Sequence, residues 1–293
     1  GPKVKAAFEE TCACKLEFVS LGDGVALLTR LRMEGEQTKA DIVLGLDNNL
    51  LKEARDTGLL VEHGIDTGAV TIPGGFSAPV FVPYAYGHFA IIYDTESVRT
   101  VPGSLRELVE GNADEKLVIQ DPRTSTPGLG MLIWMKSVYG DRAPEAWAKL
   151  KNRILTVTPG WSESYGLFTK GEVQMVLSYT TSPAYHMIAE QENRYQAAEF
   201  SDGHPIQIEV AAMTKSAEPE LARDFLKFMI SPAFQDIIPE TNWMMPAAPT
   251  SQKLNPAFDR LVNPKKTLSL SADEIAANRK DWIDEWLAAM SMK

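Results

Sequence analysis

The feature that most restricts the fold of this chain is a long apolar run over residues 79–94. Its sequence is Pro-Val-Phe-Val-Pro-Tyr-Ala-Tyr-Gly-His-Phe-Ala-Ile-Ile-Tyr-Asp, interrupted by Pro83 and Gly87. Aromatic and β-branched residues favour strands, but the run is far longer than the usual strand of about five or six residues. A strand that leaves one domain and enters another would explain this length, so we predict a crossing between two domains here.

Strand and helix patterns alternate on both sides of this run. The sequence predicts strands over 15–20, 41–45 and 117–120, and helices over 24–33, from Asp47 onward, over 104–111 and over 127–138. Alternation of this kind favours a mostly parallel sheet with helices on both faces.

Two later segments are candidates for further crossings, one near 205–213 and one at 242–246. The chain then ends in a helix that opens with the capping box Ser271-Ala-Asp-Glu. We predict an α/β fold of two doubly wound domains joined by hinge strands. The first domain comprises 1–88 and 208–241, and the second comprises 89–207 and 242–293. Ligands bind where strands end and at domain interfaces, so we expect a ligand cleft between the two.

Size and charge limit the classes of function. The 293 residues are enough for two domains with separate cores, and no stretch of about 18 uncharged apolar residues predicts a membrane span. The formal net charge of −10 argues against a nucleic-acid partner, which requires clustered Lys and Arg. The same charge suits a cationic ligand, although solubility alone would explain it.

The two cysteines, Cys12 and Cys14, lie in the run Thr-Cys-Ala-Cys-Lys. They could form a disulfide in an oxidising compartment or remain two free thiols, and the sequence leaves both open. Two ligands cannot complete a structural zinc site, and the four histidines have no metal-binding spacing. We find no phosphate-binding glycine loop, no His-Glu-x-x-His and no Gly-x-Ser-x-Gly, so nothing names a catalytic set.

Several runs resemble the periplasmic thiamine-binding proteins, a branch of the type 2 periplasmic binding proteins. They lie at 27–35, 41–51, 120–130, 160–166 and 177–186, and the last three are the most specific. The resemblance covers nearly the whole chain, although members usually begin with a further strand before the residue that stands here as Gly1. It implies the soluble component of an ABC importer, located in the periplasm with an export signal outside this sequence. It also implies a monomer that binds thiamine or its phosphates, needs no cofactor and delivers its ligand to permease subunits.

The resemblance also implies a set of ligand-binding residues: Asp23, Gly24, Ser125, Thr126, Trp161, Tyr179, Thr180, Thr181 and Ser182. A helix start with the hydroxyls of Ser125 and Thr126 can hold an anion or the hydroxyethyl arm of thiamine. Trp161 can stack on a flat heterocycle or a cation. Residues 179–182 offer a ring and hydroxyls, and Asp23 could accept from an amino group or offset a positive charge.

Each of these residues also has an ordinary structural interpretation. Asp23, Ser125 and the 180–182 run could be helix caps, and Trp161 could be a half-buried packing residue. Asp47, Tyr84 and Tyr86 are weaker candidates of the same kind.

Two other functions remain open on the sequence. A thiaminase I-like enzyme shares this fold and would need Cys12 or Cys14 as a free nucleophile. An iron-binding relative would need adjacent tyrosines, whereas Tyr179 is followed by Thr180; a polyamine-binding relative would need a cleft lined with carboxylates.

Overall fold

The protein, seen in a computed structural model that describes residues 1–291, divides into two compact units. Unit 1 comprises Gly1–Tyr86 and Ile208–Asn255, and unit 2 comprises Gly87–Gln207 with the segment that begins at Pro256. Residues 292–293, which we assigned to the second domain, lie outside the described residues.

Two long strands carry the chain from one unit to the other. The apolar run forms a single strand, β3 (Phe81–Asp94), which leaves unit 1 after Tyr86. The return passage lies within β8 (His204–Thr214), between Gln207 and Ile208. The sequence predicts a crossing at both places, over 79–94 and near 205–213.

Unit 1 combines short strands with helices that bury one face. Its other strands are β1 (Ile42–Asp47), β2 (Leu60–Val61) and β9 (Met245–Pro246), and its helices are α1 (Pro2–Glu9), α2 (Gly24–Glu34), α3 (Leu51–Arg55), α9 (Pro219–Met229) and α10 (Pro232–Gln235). β1 and β2 both pair antiparallel with β8. α9 begins at Pro219, where a missing N–H costs nothing, and the Glu218 carboxylate accepts from the Glu220 and Leu221 N–H groups.

Unit 2 contains three neighbouring strands that run parallel to one another, together with several helices. Its other strands are β4 (Leu117–Gln120), β5 (Ile154–Thr158), β6 (Met175–Tyr179), β7 (Tyr195–Ala197) and β10 (Thr267–Leu268). Its helices are α4 (Leu105–Glu110), α5 (Thr126–Tyr139), α6 (Ala143–Leu150), α7 (Trp161–Thr169), α8 (Ser182–Tyr185) and α11 (Ala272–Ser291), with a π-helical turn over His186–Glu190. β4 pairs parallel with both β5 and β6, and β6 pairs antiparallel with β3. The carboxyl ends of β4, β5 and β6 therefore meet at one edge.

The C-terminal helix is capped as its sequence predicts. The Ser271 hydroxyl accepts from the Glu274 N–H at 3.1 Å, which satisfies one of the unpaired donors at the helix start. Ile275 and Trp286 are buried along this helix, whereas Trp282 and Met290 of the predicted seam are half-buried.

Three sequence-based expectations were wrong. Residues 15–20 form no strand: Phe18 and Val19 are 45% and 78% exposed, and the Leu16 N–H donates to the Glu9 side chain instead of a neighbouring strand. The helix expected from Asp47 begins only at Leu51, because the Asp47 carboxylate accepts from the Asn49 N–H at 2.7 Å and closes a turn.

The third expectation concerned the last crossing, placed at 242–246 and therefore giving 242–255 to the second domain. This segment lies in unit 1, and the chain enters unit 2 only at Pro256. The cause is pairing: Met245 and Pro246 pair with Tyr86 and Ala85 of β3, and the Ala247 carbonyl accepts from the Thr71 N–H at 2.8 Å.

No helix among residues 1–291 is both long enough and apolar enough to cross a bilayer.

Candidate functional site

Most of the predicted ligand-binding residues lie at one edge of unit 2. Ser125 and Thr126 follow β4, Trp161 follows β5, and Tyr179–Ser182 end β6 and begin α8. Because these three strands are parallel neighbours, their carboxyl ends lie together. This is the position where open α/β sheets bind ligands.

Backbone and side-chain hydrogen bonds join the three strand ends. The Asp121 N–H donates to the Thr158 carbonyl at 2.8 Å, and the Thr124 hydroxyl donates to the Pro159 carbonyl at 2.6 Å. These bonds join the loop after β4 to the loop after β5. The Gln120 side-chain amide, fully buried, donates to the Leu177 carbonyl of β6 at 3.0 Å.

At this edge, the start of α5 is the element predicted to bind an anion. Ser125 is its N-cap residue and Thr126 its first residue, and both are buried. The Ser125 hydroxyl does not accept from the α5 N–H groups, so the ordinary cap interpretation does not account for it. A Cβ on Gly128 would lie 2.6 Å from the Gln120 carbonyl oxygen, so only glycine lets this turn pack against β4.

An ion pair lies beside this helix start. The Arg123 guanidinium binds the Asp121 carboxylate, with Nε 2.9 Å from Oδ1. Burial acts to raise the pKa of Asp121, but the hydrogen bonds and charge of Arg123 outweigh it and leave that pKa below its usual value. Asp121 is therefore ionised, and the pair presents little net charge.

Trp161 begins α7, at the loop-to-helix junction that the sequence predicts. Its ring is half-buried and stacks on Tyr165, with centroids 4.7 Å apart and planes inclined by 20°. Its indole N–H donates to the Ser178 hydroxyl at 2.8 Å. Packing therefore accounts for one side of the Trp161 ring. The stacking and the hydrogen bond together hold the ring in one orientation.

Tyr179 is the last residue of β6 and is also half-buried. Its ring stacks on Phe89, with centroids 5.2 Å apart, and its hydroxyl donates to the Gln207 side chain at 2.8 Å. Both contacts orient the ring.

The turn after Tyr179 is closely tied to the strands. Thr180, Thr181 and Ser182 are all buried, and the Thr180 N–H donates to the His88 carbonyl at 2.9 Å. The Ser182 hydroxyl accepts from the Tyr179 N–H at 3.2 Å and lies 2.7 Å from the Ser178 hydroxyl. The Thr181 hydroxyl does not accept a capping hydrogen bond from the N–H groups at the start of α8.

Asp23 and Gly24 lie in unit 1, where Asp23 is the N-cap residue of α2 and Gly24 is buried. The Asp23 carboxylate does not accept from the α2 N–H groups, contrary to the cap interpretation. These two residues belong to a different unit from the other seven.

The weaker candidates belong to unit 1 as well. Tyr84 is buried and packs edge-on against Phe234, at 6.1 Å between centroids, which fits a packing role. Tyr86 is half-buried, and burial raises its pKa. Asp47 is fully buried and lies directly opposite Glu209 in the β1–β8 register. Burial raises the pKa of Glu209 to about 7, and the neighbouring Asp47 charge acts in the same direction.

The described residues contain no group of three or more His, Cys, Asp or Glu side chains placed to hold a metal ion. Cys12 and Cys14, which the sequence left open, are joined in a disulfide with their Cα atoms 5.2 Å apart. Neither sulfur is a thiol, so the nucleophile that a thiaminase I-like reaction needs is not available in this state.

Sequence reasoning missed the residues that orient these side chains. Tyr165 lies four positions after Trp161, which places the two on one helix face, and this spacing could have identified it. Ser178 and Phe89 carry no comparable local signal, because they reach the edge only through strand pairing.

This fold and this edge define the chain as a periplasmic-binding-protein-type receptor for a small solute. It belongs to the bacterial extracellular solute-binding protein family, whose model matches residues 37–278. The type 2 periplasmic-binding-protein fold predicted from the sequence is thereby confirmed.

Individual relatives are similar over almost the full length. A thiamine-binding periplasmic protein of Brucella melitensis is 60% identical over 292 residues, 99% of this chain and 87% of that protein. The thiamine-binding periplasmic protein of Escherichia coli is 55% identical over 99% of this chain and 89% of its own.

Solved structures agree with these relatives. A periplasmic thiamin binding protein matches 100% of this chain and 92% of its own, with a TM-score of 0.97 at 55% identity. A ferric binding protein from Campylobacter jejuni matches with a TM-score of 0.81 at 20% identity, over 98% and 95% of the two chains, which shows a shared fold only. These relatives, at 55–60% identity, are named as binding proteins, so the chain is a solute-binding protein rather than an enzyme.

Proposed function

We propose that this chain captures thiamine, and its phosphates, as the soluble receptor of an ABC importer. The observation that carries the proposal is the convergence of Ser125, Thr126, Trp161 and Tyr179 at the carboxyl edge of three adjacent parallel strands. The names of the full-length relatives support thiamine as the ligand.

The chemistry of this edge suits thiamine. The molecule joins a flat aminopyrimidine to a cationic thiazolium that carries a hydroxyethyl arm. The half-buried Trp161 ring, held by Tyr165 and Ser178, offers a fixed aromatic surface for either ring. Stacking and cation–π contact at such a ring contribute about 1–2 kcal/mol.

The α5 start suits the opposite end of the ligand. Its N–H groups and the Ser125 and Thr126 hydroxyls can bind the hydroxyethyl oxygen or a phosphate attached to it. The Asp121–Arg123 pair is close to neutral, so the helix dipole and N–H groups supply the attraction for an anion. This arrangement accommodates thiamine and thiamine phosphates alike.

Asp23 is the acidic residue that we assign to the ligand. Asp23 lies at the start of α2, and its carboxylate could accept from the aminopyrimidine amino group or offset the thiazolium charge. In this function the chain acts in the periplasm as a monomer and needs no resident cofactor. Its partners are permease subunits at a membrane.

The test is titration calorimetry of the protein with thiamine, thiamine monophosphate and thiamine diphosphate. We expect one-to-one binding with no product detectable by mass spectrometry. Asp23→Asn should weaken thiamine binding while leaving the melting temperature within about 2 °C. The proposal would be refuted if the wild-type protein binds none of the three compounds.

A further inference from the structure

Two hydrogen-bonded groups of side chains lie next to each other in unit 2, and the stacked rings of Trp161 and Tyr165 join them. In the first group, Trp161 Nε1 lies 2.8 Å from Ser178 Oγ, which lies 2.7 Å from Ser182 Oγ. In the second group, Tyr165 Oη lies 2.8 Å from His186 Nε2, and His186 Nδ1 lies 2.6 Å from Glu190 Oε2. His186 and Ser178 are fully buried, and Glu190 reaches the surface.

Glu190 determines the proton positions in the second group. A carboxylate only accepts, so His186 carries its proton on Nδ1 and leaves Nε2 as an acceptor. The Tyr165 hydroxyl must then donate to Nε2, so its orientation depends on the neutral form of His186.

The rings of these residues are also closely packed. The His186 ring lies 4.3 Å from the Tyr195 centroid and stacks at 5.8 Å on Tyr165, which also stacks on the Trp161 ring at 4.7 Å. Removing the His186 nitrogen would leave the buried Tyr165 hydroxyl without its acceptor, which carries the full desolvation cost of that group.

We propose that His186, oriented by Glu190, is a positioning residue for the ligand site. Its neutral, Nδ1-protonated form accepts from the Tyr165 hydroxyl and so fixes the ring on which the Trp161 indole stacks. This inference rests on the proposed function, because its consequence for affinity is defined for thiamine.

Protonation of His186 on Nε2 would replace the acceptor of the Tyr165 hydroxyl with a donor, so this buried hydroxyl would have to turn away. The ionisable groups around His186 are Glu190, Glu192, Arg194, Tyr165, Tyr185 and Tyr195. Burial lowers the pKa of His186; the Glu190 and Glu192 carboxylates oppose this shift, and Arg194 adds to it. The lowered pKa favours the neutral form, and affinity should decline as acidification protonates His186.

The test compares His186→Leu with His186→Gln. Leucine cannot accept from Tyr165, whereas the glutamine amide can accept from Tyr165 and donate to Glu190. We expect the leucine variant to bind thiamine roughly 5–30-fold more weakly and the glutamine variant to bind within about threefold of wild type. The matched control is His63→Leu, which removes a buried histidine that hydrogen-bonds the Ala78 and Ile65 backbone in unit 1. It should lower the melting temperature without changing thiamine affinity.

A second readout does not depend on thiamine. The indole N–H resonance of Trp161 in unliganded protein, assigned with Trp161→Phe, should shift in the leucine variant and lie close to wild type in the glutamine variant. An unshifted resonance with unchanged affinity overturns the inference. If wild-type protein binds no thiamine, the proposed function fails and the resonance alone decides this inference.

The wild-type tautomer provides the last check. Nitrogen NMR of His186 at pH 7.5 should show the proton on Nδ1, and a proton on Nε2 would overturn the inference even if the leucine variant does not fold.

Discussion

Gly130 and Phe89 are so close that a Cβ on the glycine would lie 2.3 Å from Cε2 of the ring. Phe89 is fully buried in β3, opposite Tyr179 in the β3–β6 register, and its ring stacks on the Tyr179 ring. Because Gly130 of α5 has no side chain, Phe89 has room to support the Tyr179 ring, which is predicted to contact the ligand. Because a ring this buried cannot move aside freely, the spacing constrains both stability and the site.

Gly130→Ala should therefore weaken both folding and binding. The added methyl group must displace Phe89 or the helix, and overpacking of this kind costs about 1–3 kcal/mol of unfolding free energy. Movement of Phe89 would tilt the Tyr179 ring and weaken thiamine binding. Urea unfolding and calorimetry measure the two effects.

The control for this variant is Gly166→Ala. Gly166 is also helical, but a Cβ there would meet no heavy atom within 4 Å. Alanine favours helices over glycine by up to about 1 kcal/mol, so this variant should be neutral or slightly more stable. Equal losses in the two variants would show that the Phe89 contact is not the cause.

Trp161 and Ser178 provide a second prediction, on the orientation of the aromatic surface. Trp161→Ala should weaken thiamine binding by about 1–3 kcal/mol, through lost stacking and desolvation. Ser178→Ala removes the acceptor of the indole N–H and should cost about 1 kcal/mol of binding by letting the ring turn. Calorimetry measures both.

A double-mutant cycle separates the hydrogen bond from packing. Trp161→Phe keeps an aromatic ring but has no N–H, so Ser178→Ala should have almost no further effect in that background. Additive losses in the cycle would mean that Ser178 acts independently of the indole.

Much of the fold could be predicted, because the local sequence determines many of its helices and strands. The 14-residue strand β3 and the capping of α11 follow from composition and from a local motif. Residues 15–20 have comparable local apolar character but no pairing partner, and their exposed Phe18 and Val19 show that a strand requires a neighbour as well as a pattern.

The positions of the predicted ligand-binding residues followed from the sequence, whereas the side chains that support them did not. Ser125, Trp161 and Tyr179 each follow a strand in the sequence, and parallel pairing then brings them to one edge. The Ser178–Ser182 hydrogen bond and the Gly130–Phe89 contact depend on strand register and helix packing, which no local pattern encodes.

The Cys12–Cys14 disulfide gives a third prediction, which also tests the enzyme alternative. The closed loop is very short, so reduction should cost only about 1–2 kcal/mol of unfolding free energy on the loop-entropy model. Thiamine affinity should be unchanged in Cys12→Ser/Cys14→Ser protein. Wild-type protein, oxidised or reduced, should form no cleavage product with thiamine and an added amine or thiol. Product that appears on reduction and is lost in the double variant would favour the thiaminase I-like chemistry.

Glu209 gives a fourth prediction, on the pH dependence of stability. Burial, with Asp47 opposite it, raises the pKa of Glu209 to about 7, although a hydrogen bond from Asn242 at 2.6 Å opposes the shift. Between its usual value near 4.5 and pH 7, the folded protein retains a proton that the unfolded chain releases. The contribution of Glu209 to stability should therefore fall as pH rises through this window, and it is lost above about pH 7.

Glu209→Gln removes this titration while keeping an oxygen that can accept from Asn242. The variant should be more stable than wild type by about 1–3 kcal/mol at pH 8, with the difference shrinking towards pH 5. Urea unfolding at pH 5, 6, 7 and 8 measures this trend. Glu172→Gln, at an exposed turn, makes the same change in net charge and should give a curve parallel to wild type. A parallel curve for Glu209→Gln as well would show that this carboxyl group titrates alike in the folded and unfolded states.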